Sequence, residues 1–170
     1  LNAAYGAKTF DYEVNFYDAL GKILETRKNK SFIYAGEIKN LIEAGARITN
    51  GIPVRSEIKL DEKSVVWERA SEFSQPPYKL NDISTVLDGE RAVVNGNINN
   101  LNNHSLSRVI VSAFLINKLG VKIGVSKTEL QNVGPFRVES FKIFIPAGKD
   151  SLNSADLEAT AQSVFVEIFK

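Results

Sequence analysis

The chain has 170 residues, 44% of them hydrophobic and 24% charged, a composition that fits globular domains and excludes disordered or collagen-like chains. Lys and Arg number 21 against 20 Asp and Glu, so no basic excess marks a nucleic-acid binder; no apolar run reaches the roughly 18–20 residues of a membrane-spanning helix. Cysteine is absent, which excludes disulfides, thiolate metal sites and a cysteine nucleophile.

Period-two alternation opens the chain. Tyr12, Val14 and Phe16 face one way with Asp11, Glu13 and Asn15 opposite, which predicts a strand with one buried face. A turn follows from Asp18 to Gly21: the carboxylate can accept a backbone N–H, and Gly21 can take a positive φ. Ile23 and Leu24 begin a return strand, followed by Phe32-Ile33-Tyr34, an Ala35-Gly36 turn and the apolar pair Leu41-Ile42. Asn50-Gly51 predicts a turn before a strand carrying Val54, Ser56, Ile58 and Leu60. Asp61-Glu62-Lys63 reads as a solvated hairpin tip, and Val65-Val66-Trp67 as a short closing strand. Pro76-Pro77 favours a stiff extended connector, which sets the expected organisation: a first domain over 1–70, a linker over 71–79 and a second domain over 80–170.

The second half continues in the same manner. Ile83 to Leu87 and a turn at Asp88-Gly89 lead to Val94, Gly96 and Ile98 on one face, and Asn97, Asn99, Asn100, Asn102 and Asn103 form a polar exit. Val109, Val111, Ala113 and Leu115 make the next strand, Asn117 to Gly120 turns, and Val121, Ile123 and Val125 return. Gly134-Pro135 turns into Val138, Phe141, Ile143 and Ile145, stopped by Pro146. A looser stretch over 147–160 is expected to hold one helical turn, and Val164, Val166 and Ile168 close the chain as a strand. Short strands at this spacing predict an all-β fold of two tandem antiparallel β-sandwiches.

Phe16-Tyr17-Asp18-Ala19-Leu20-Gly21 and Leu115-Ile116-Asn117-Lys118-Leu119-Gly120 present the same strand-into-turn unit, which indicates two copies of one fold. An offset of 99 residues sets Gly120 on Gly21, and 98 sets Gly134 on Gly36. The first copy then lacks a counterpart of the strand Val94–Asn100. Its Phe10–Tyr17 strand, with Tyr12, Val14 and Phe16, is therefore expected to be an open edge, paired by residues upstream of Leu1 or by a second molecule. Methionine is absent, so Leu1 is read as the start of a processed or trimmed chain with any signal or anchor segment outside it.

The pattern Val94-x-Gly96-x-Ile98-x-Asn100, Val109-x-Val111, Leu115-Ile116-Asn117 and Gly120 resembles the FxLYD-type immunoglobulin-like domains of bacterial and archaeal envelope proteins. Phe16 to Gly21 is the match in the first copy; the second has Ile116 and Asn117 where the family prefers Tyr and Asp. The wider layout, with Tyr12, Tyr17-Asp18, Phe32 to Gly36, Ile52-Pro53-Val54 and Val66 to Arg69, is similar to membrane-anchored tandem-domain proteins of candidate-phyla bacteria that have no assigned activity. The resemblance implies immunoglobulin-like sandwiches, the first lacking its N-terminal strand, outside the cytoplasm and held by an N-terminal anchor outside this chain. It offers no catalytic residues.

The residues that could carry chemistry are few. His104 is the single histidine, in the Asn-rich loop, where a zinc site or a catalytic triad would need partners that no Cys or second His supplies. Asp82, Asp88 and Glu90 read as turn chemistry rather than a calcium loop, and no phosphate-binding glycine pattern occurs. Asn29-Lys30-Ser31 and Asn103-His104-Ser105 satisfy the glycosylation triplet, which matters only in a secreted eukaryotic protein. Trp67 is the single tryptophan, expected in the first core or, with Tyr78, at an inter-domain contact, the other reading being a sugar-stacking platform. Ile110, Phe114 and Ile116 make the second face of their strand apolar, which marks an interaction surface or a strand covered on both sides.

The expected function is a non-enzymatic, extracytoplasmic module of the cell envelope that binds protein partners, with no cofactor, metal or nucleic acid. Self-association through the first domain is one route. The alternatives are a surface-filament or adhesin subunit completed by a strand from another chain and, behind it, a carbohydrate-binding accessory module.

Overall fold

The structure is a computed structural model that describes residues 3–43, 47–88, 91–117, 119–146 and 161–169. The expected helical turn over 147–160, and Gly89, Glu90 and Lys118, lie outside the described residues. Among the described residues the fold is all-β, without a helix. Nine strands run in chain order: β1 Tyr5–Tyr17, β2 Ile23–Ile33, β3 Arg55–Arg69, β4 Tyr78–Asp88, β5 Arg91–Asn100, β6 Leu106–Ile116, β7 Lys122–Val133, β8 Val138–Pro146 and β9 Ala161–Phe169. They form three antiparallel three-stranded sheets, ordered β2-β1-β3, β4-β5-β8 and β7-β6-β9. The chain divides into two compact units, Leu1–Gln75 and Pro76–Lys170.

Alternation explains the second unit. Ala92, Val94 and Ile98 of β5, Val109, Val111, Ala113 and Leu115 of β6, Phe141, Ile143 and Ile145 of β8 and Ile168 of β9 are all buried in one hydrophobic cluster. Burying each Val, Leu, Ile or Phe side chain of this cluster contributes about 1.5–3 kcal/mol. Gly96 belongs to the apolar face because its neighbours fill the space: a Cβ there would lie 2.4 Å from Ile83 Cδ1 and 2.6 Å from Phe141 Cζ. At the end of β5, Asn100 is fully buried and its side chain ties together the β5–β6 loop and the β7–β8 turn. Its Nδ2 donates to the carbonyls of His104 (2.9 Å), Val133 (3.1 Å) and Gly134 (2.9 Å). Its Oδ1 accepts from the backbone N–H and the side-chain amide of Asn102.

In the first unit β1 is the central strand, hydrogen-bonded to β2 on one side and β3 on the other. This corrects the expectation of an open edge at Tyr12, Val14 and Phe16. Tyr12 and Val14 are buried and Phe16 is half-buried, because both neighbours of β1 come from later in the chain. A small aromatic cluster closes one end of the unit, with the ring of Tyr34 4.6 Å from Phe73 and 5.2 Å from Phe32. Leu41-Ile42 forms no strand. The segment between β2 and β3 instead brings Glu43 to Tyr12 Oη and Asn29 Nδ2, each donating at 2.8 Å.

Two turns repeat atom by atom. Asp18 Oδ1 accepts from the N–H of Leu20 and Lys22, both at 2.9 Å, and Asn117 Oδ1 accepts from Leu119 (3.0 Å) and Val121 (2.9 Å). Gly21 N donates to Asp18 O and Gly120 N to Asn117 O, with φ of 80° and 76° at the glycines. The next turns also match, at a different offset. Glu37 N donates to Tyr34 O and Arg137 N to Gly134 O, and the positive φ falls on Gly36 and Phe136. Gly36 thus corresponds to Phe136, an offset of 100, which corrects the alignment of Gly36 with Gly134; β7 is one residue longer than β2, at 12 against 11.

A third correction concerns β3. Asp61-Glu62-Lys63 is no hairpin tip: Asp61 pairs with Asp11, and Glu62 and Lys63 belong to a bulge inside one 15-residue strand. Ser64 Oγ accepts from Asp11 N at 2.7 Å and donates to Asp61 O at 2.6 Å, which ties the bulge to β1 and keeps the strand continuous.

Candidate functional site

The sheet of the first unit has two unlike faces. Strand partners share a face, so Asp11, Glu13, Asn15 and Tyr17 of β1 stand beside Lys30, Lys28, Thr26 and Ile23 of β2 and beside Asp61, Lys59, Glu57 and Arg55 of β3. These rungs alternate charge along β3: Arg55, Glu57, Lys59, Asp61. A groove of about 650 Å³ runs over them, lined by Asp11, Glu13, Lys28, Lys30, Lys59 and Asp61 among others. Lys30 Nζ lies 3.3 Å from Asp11 Oδ1.

Hydrogen bonds hold the lower rungs. Asn15 is buried, accepting from Thr26 Oγ1 and donating to Glu13 Oε1. Tyr17 Oη donates to Glu57 Oε2 at 2.7 Å, and Arg55 lies over the Tyr17 ring at 4.1 Å. That bond holds the Glu57 carboxyl below its ordinary range and pushes the Tyr17 phenol up. The groove therefore offers equal numbers of acids and lysines, suited to ion-pairing with an extended segment of mixed charge.

On the opposite face β2 contributes the polar Glu25, Arg27 and Asn29, and the apolar side chains come from β1 and β3. Val14 stands beside Ile58 and Tyr12 beside Leu60. Ile58 is 49% and Leu60 58% exposed, and along the same strand Val66 and Trp67 are also exposed, at 50% and 61%. Among the described strands β3 pairs only with β1, so its other side is a sheet edge.

The residues singled out from the sequence fall as follows. Ile110 and Phe114 are 7% and 6% exposed and Ile116 is half-buried, which fits the reading of a covered strand and leaves little of this face for an interaction surface. β6 is central in its sheet, and neighbouring β7 sets Lys122 Nζ 4.3 Å from the Phe114 ring centroid. Trp67 does not join the first core, because it sits on the edge strand β3. Tyr78 begins β4 and packs against the core cluster of the second unit. His104 is exposed, with Nδ1 3.3 Å from Asn103 Oδ1. Asp82 accepts from Asn97 Nδ2 at a bulge of β4, while Asp88 is held by Arg91 at 2.6 Å. The two acids serve separate contacts, and among the described residues no group of three or more His, Cys, Asp or Glu is placed to hold a metal ion.

Sequence reasoning missed the edge of β3, although its signal was present in the charge alternation from Arg55 to Asp61. A strand's place in its sheet depends on partners that the strand itself does not name. The fold and site define an all-β protein of antiparallel three-stranded sheets with one long, partly apolar edge strand. No protein-family model and no curated protein matches the chain.

Proposed function

We propose that the chain is a pair of immunoglobulin-like domains of the FxLYD type acting as a protein-binding module of the cell envelope, without catalytic activity. In this reading the second unit is a full two-sheet sandwich and the first carries one sheet of the same plan. The matching turns at Asp18 and Asn117 support the tandem plan. The observation that carries the binding role is β3: an edge strand with Ile58, Leu60, Val66 and Trp67 49–61% exposed. Unpaired backbone groups beside exposed apolar side chains favour the addition of another strand. The same edge favours the second reading, a filament or adhesin subunit completed by another chain.

The test is made in the source cells. A photo-crosslinking residue at Leu60 or Trp67 should capture one discrete protein species, and protease added to intact cells should cleave the chain. A chain shielded inside the cytoplasm, or one that forms no adduct from either position, overturns the reading.

A further inference from the structure

We infer that the strand added at this edge is β3 of a second copy, paired antiparallel about a two-fold axis through Ile58. The inference rests on the reading of the first unit as a protein-binding module and names its partner. β3 runs in unbroken register with β1 from Arg55, opposite Tyr17, to Asp61, opposite Asp11. Beyond Asp61 the four residues 62–65 bulge against the single Phe10, so the regular edge is the segment Arg-Ser-Glu-Ile-Lys-Leu-Asp, 55–61.

That segment is complementary to itself in reverse. With Ile58 on the axis, Arg55 meets Asp61 of the second copy, Glu57 meets Lys59, and Ser56 meets Leu60. Each ion pair forms twice by symmetry. Ile58 meets its own copy on the apolar face, which shields side chains that are 49% and 58% exposed at Ile58 and Leu60.

Neighbouring registers fail on charge or geometry. An axis through Lys59 opposes Lys59 to Lys59 and Glu57 to Asp61. An axis through Glu57 opposes Glu57 to Glu57 and Arg55 to Lys59. An axis through Leu60 draws the bulged residues 62–64 into the pairing. A shift by a single residue sets the apolar face against the charged one. Arg55 and Glu57 are already held by the Tyr17 ring and hydroxyl, which lowers the cost of ordering them.

The product is one six-stranded sheet, β2-β1-β3 continued by β3-β1-β2 of the second copy. Seven paired residues bury less than the roughly 1,600 Å² of a standard interface, which fits a reversible dimer with a dissociation constant on the order of 100 µM.

The chain has no cysteine, so one introduced thiol reports the register cleanly. Directly opposed residues in antiparallel strands lie about 4.5–5.5 Å apart at Cα, within disulfide range. Thiols at position 60 of the two copies would be about 14 Å apart. Under mild oxidation Ile58→Cys should form crosslinked dimer at least about tenfold faster than Leu60→Cys. In sedimentation velocity Lys59→Glu should weaken the dimer at least about tenfold, and Glu57→Lys with Lys59→Glu should restore it. Near-UV circular dichroism on each variant keeps loss of fold separate from loss of pairing.

Equal crosslinking at the two positions, faster crosslinking at Leu60→Cys, or a chain that stays monomeric at about 1 mM overturns the inference. A folded double variant that remains monomeric does the same. None of these results touches the protein-binding reading, which stands or falls on the crosslinks formed in cells.

Discussion

Asn100 ties β5 to the loops around His104 and Gly134 through a side chain with no access to water. Replacing it with Ala leaves three carbonyls and the Asn102 amide short of partners, so Asn100→Ala should destabilise the second unit by about 2–4 kcal/mol, read from its urea midpoint. Gly96→Ala should act by overpacking instead, at about 1–3 kcal/mol, because Ile83 and Phe141 occupy the space a methyl would need. Tyr34 sets a pH dependence in the first unit. Burial, aided by nearby Glu37, pushes its phenol up from 10.0 to about 12. Above pH 10 the unfolded chain loses this proton first, so stability is unaffected below that value and falls as pH rises toward 12. Alkaline unfolding followed by far-UV circular dichroism should show this fall, and Tyr34→Phe should flatten it. The sequence marked Asn100 as one asparagine in a polar run and as the end of the Val94-x-Gly96-x-Ile98-x-Asn100 pattern, neither of which announces its burial. Its burial depends on carbonyls more than 30 residues away.

The turns were the most legible elements. Asp18 and Asn117 sit at the head of their turns because one side-chain oxygen can take two backbone N–H groups while glycine supplies the left-handed residue. Asp18→Ala and Asn117→Ala should each cost about 1 kcal/mol, and comparable losses in thermal unfolding would express the equivalence of the two turns. The alternating strands were legible for the same local reason. β3 was not: its acidic and basic centre carries a hairpin signal, and it stays one strand only because Ser64 reaches Asp11, 53 residues away in sequence. Gly134 misled the alignment in a similar way. The turn needs its positive φ at the third position, which Gly36 fills in one copy and Phe136 in the other.

Across the whole chain the two units are unequally built. The second gathers residues of both its sheets into one buried cluster, whereas the described residues of the first hold a single sheet with Ile58, Leu60 and Trp67 exposed. Local opening free energy follows buried apolar contact. Backbone amides of Val111–Leu115 should therefore exchange with solvent at least about tenfold more slowly than those of Tyr12–Phe16. Equal protection in both strands, measured at a concentration where the chain is monomeric, would mean that the first unit is as cooperative as the second.

By itself the sequence determined what depends on near neighbours: strand periodicity, the repeated Asp/Asn-x-x-Gly turns and the all-β class. These follow from side-chain alternation and backbone sterics within a few residues. Tertiary structure alone decided which strand is central and which is an edge. Sheet order is set by pairing between segments far apart in the chain, so β1 gained a partner on each side while β3, among the described residues, kept one side open. It also decided the fate of the apolar faces: Ile110 and Phe114 are buried, whereas Ile58 and Leu60 of β3 remain exposed.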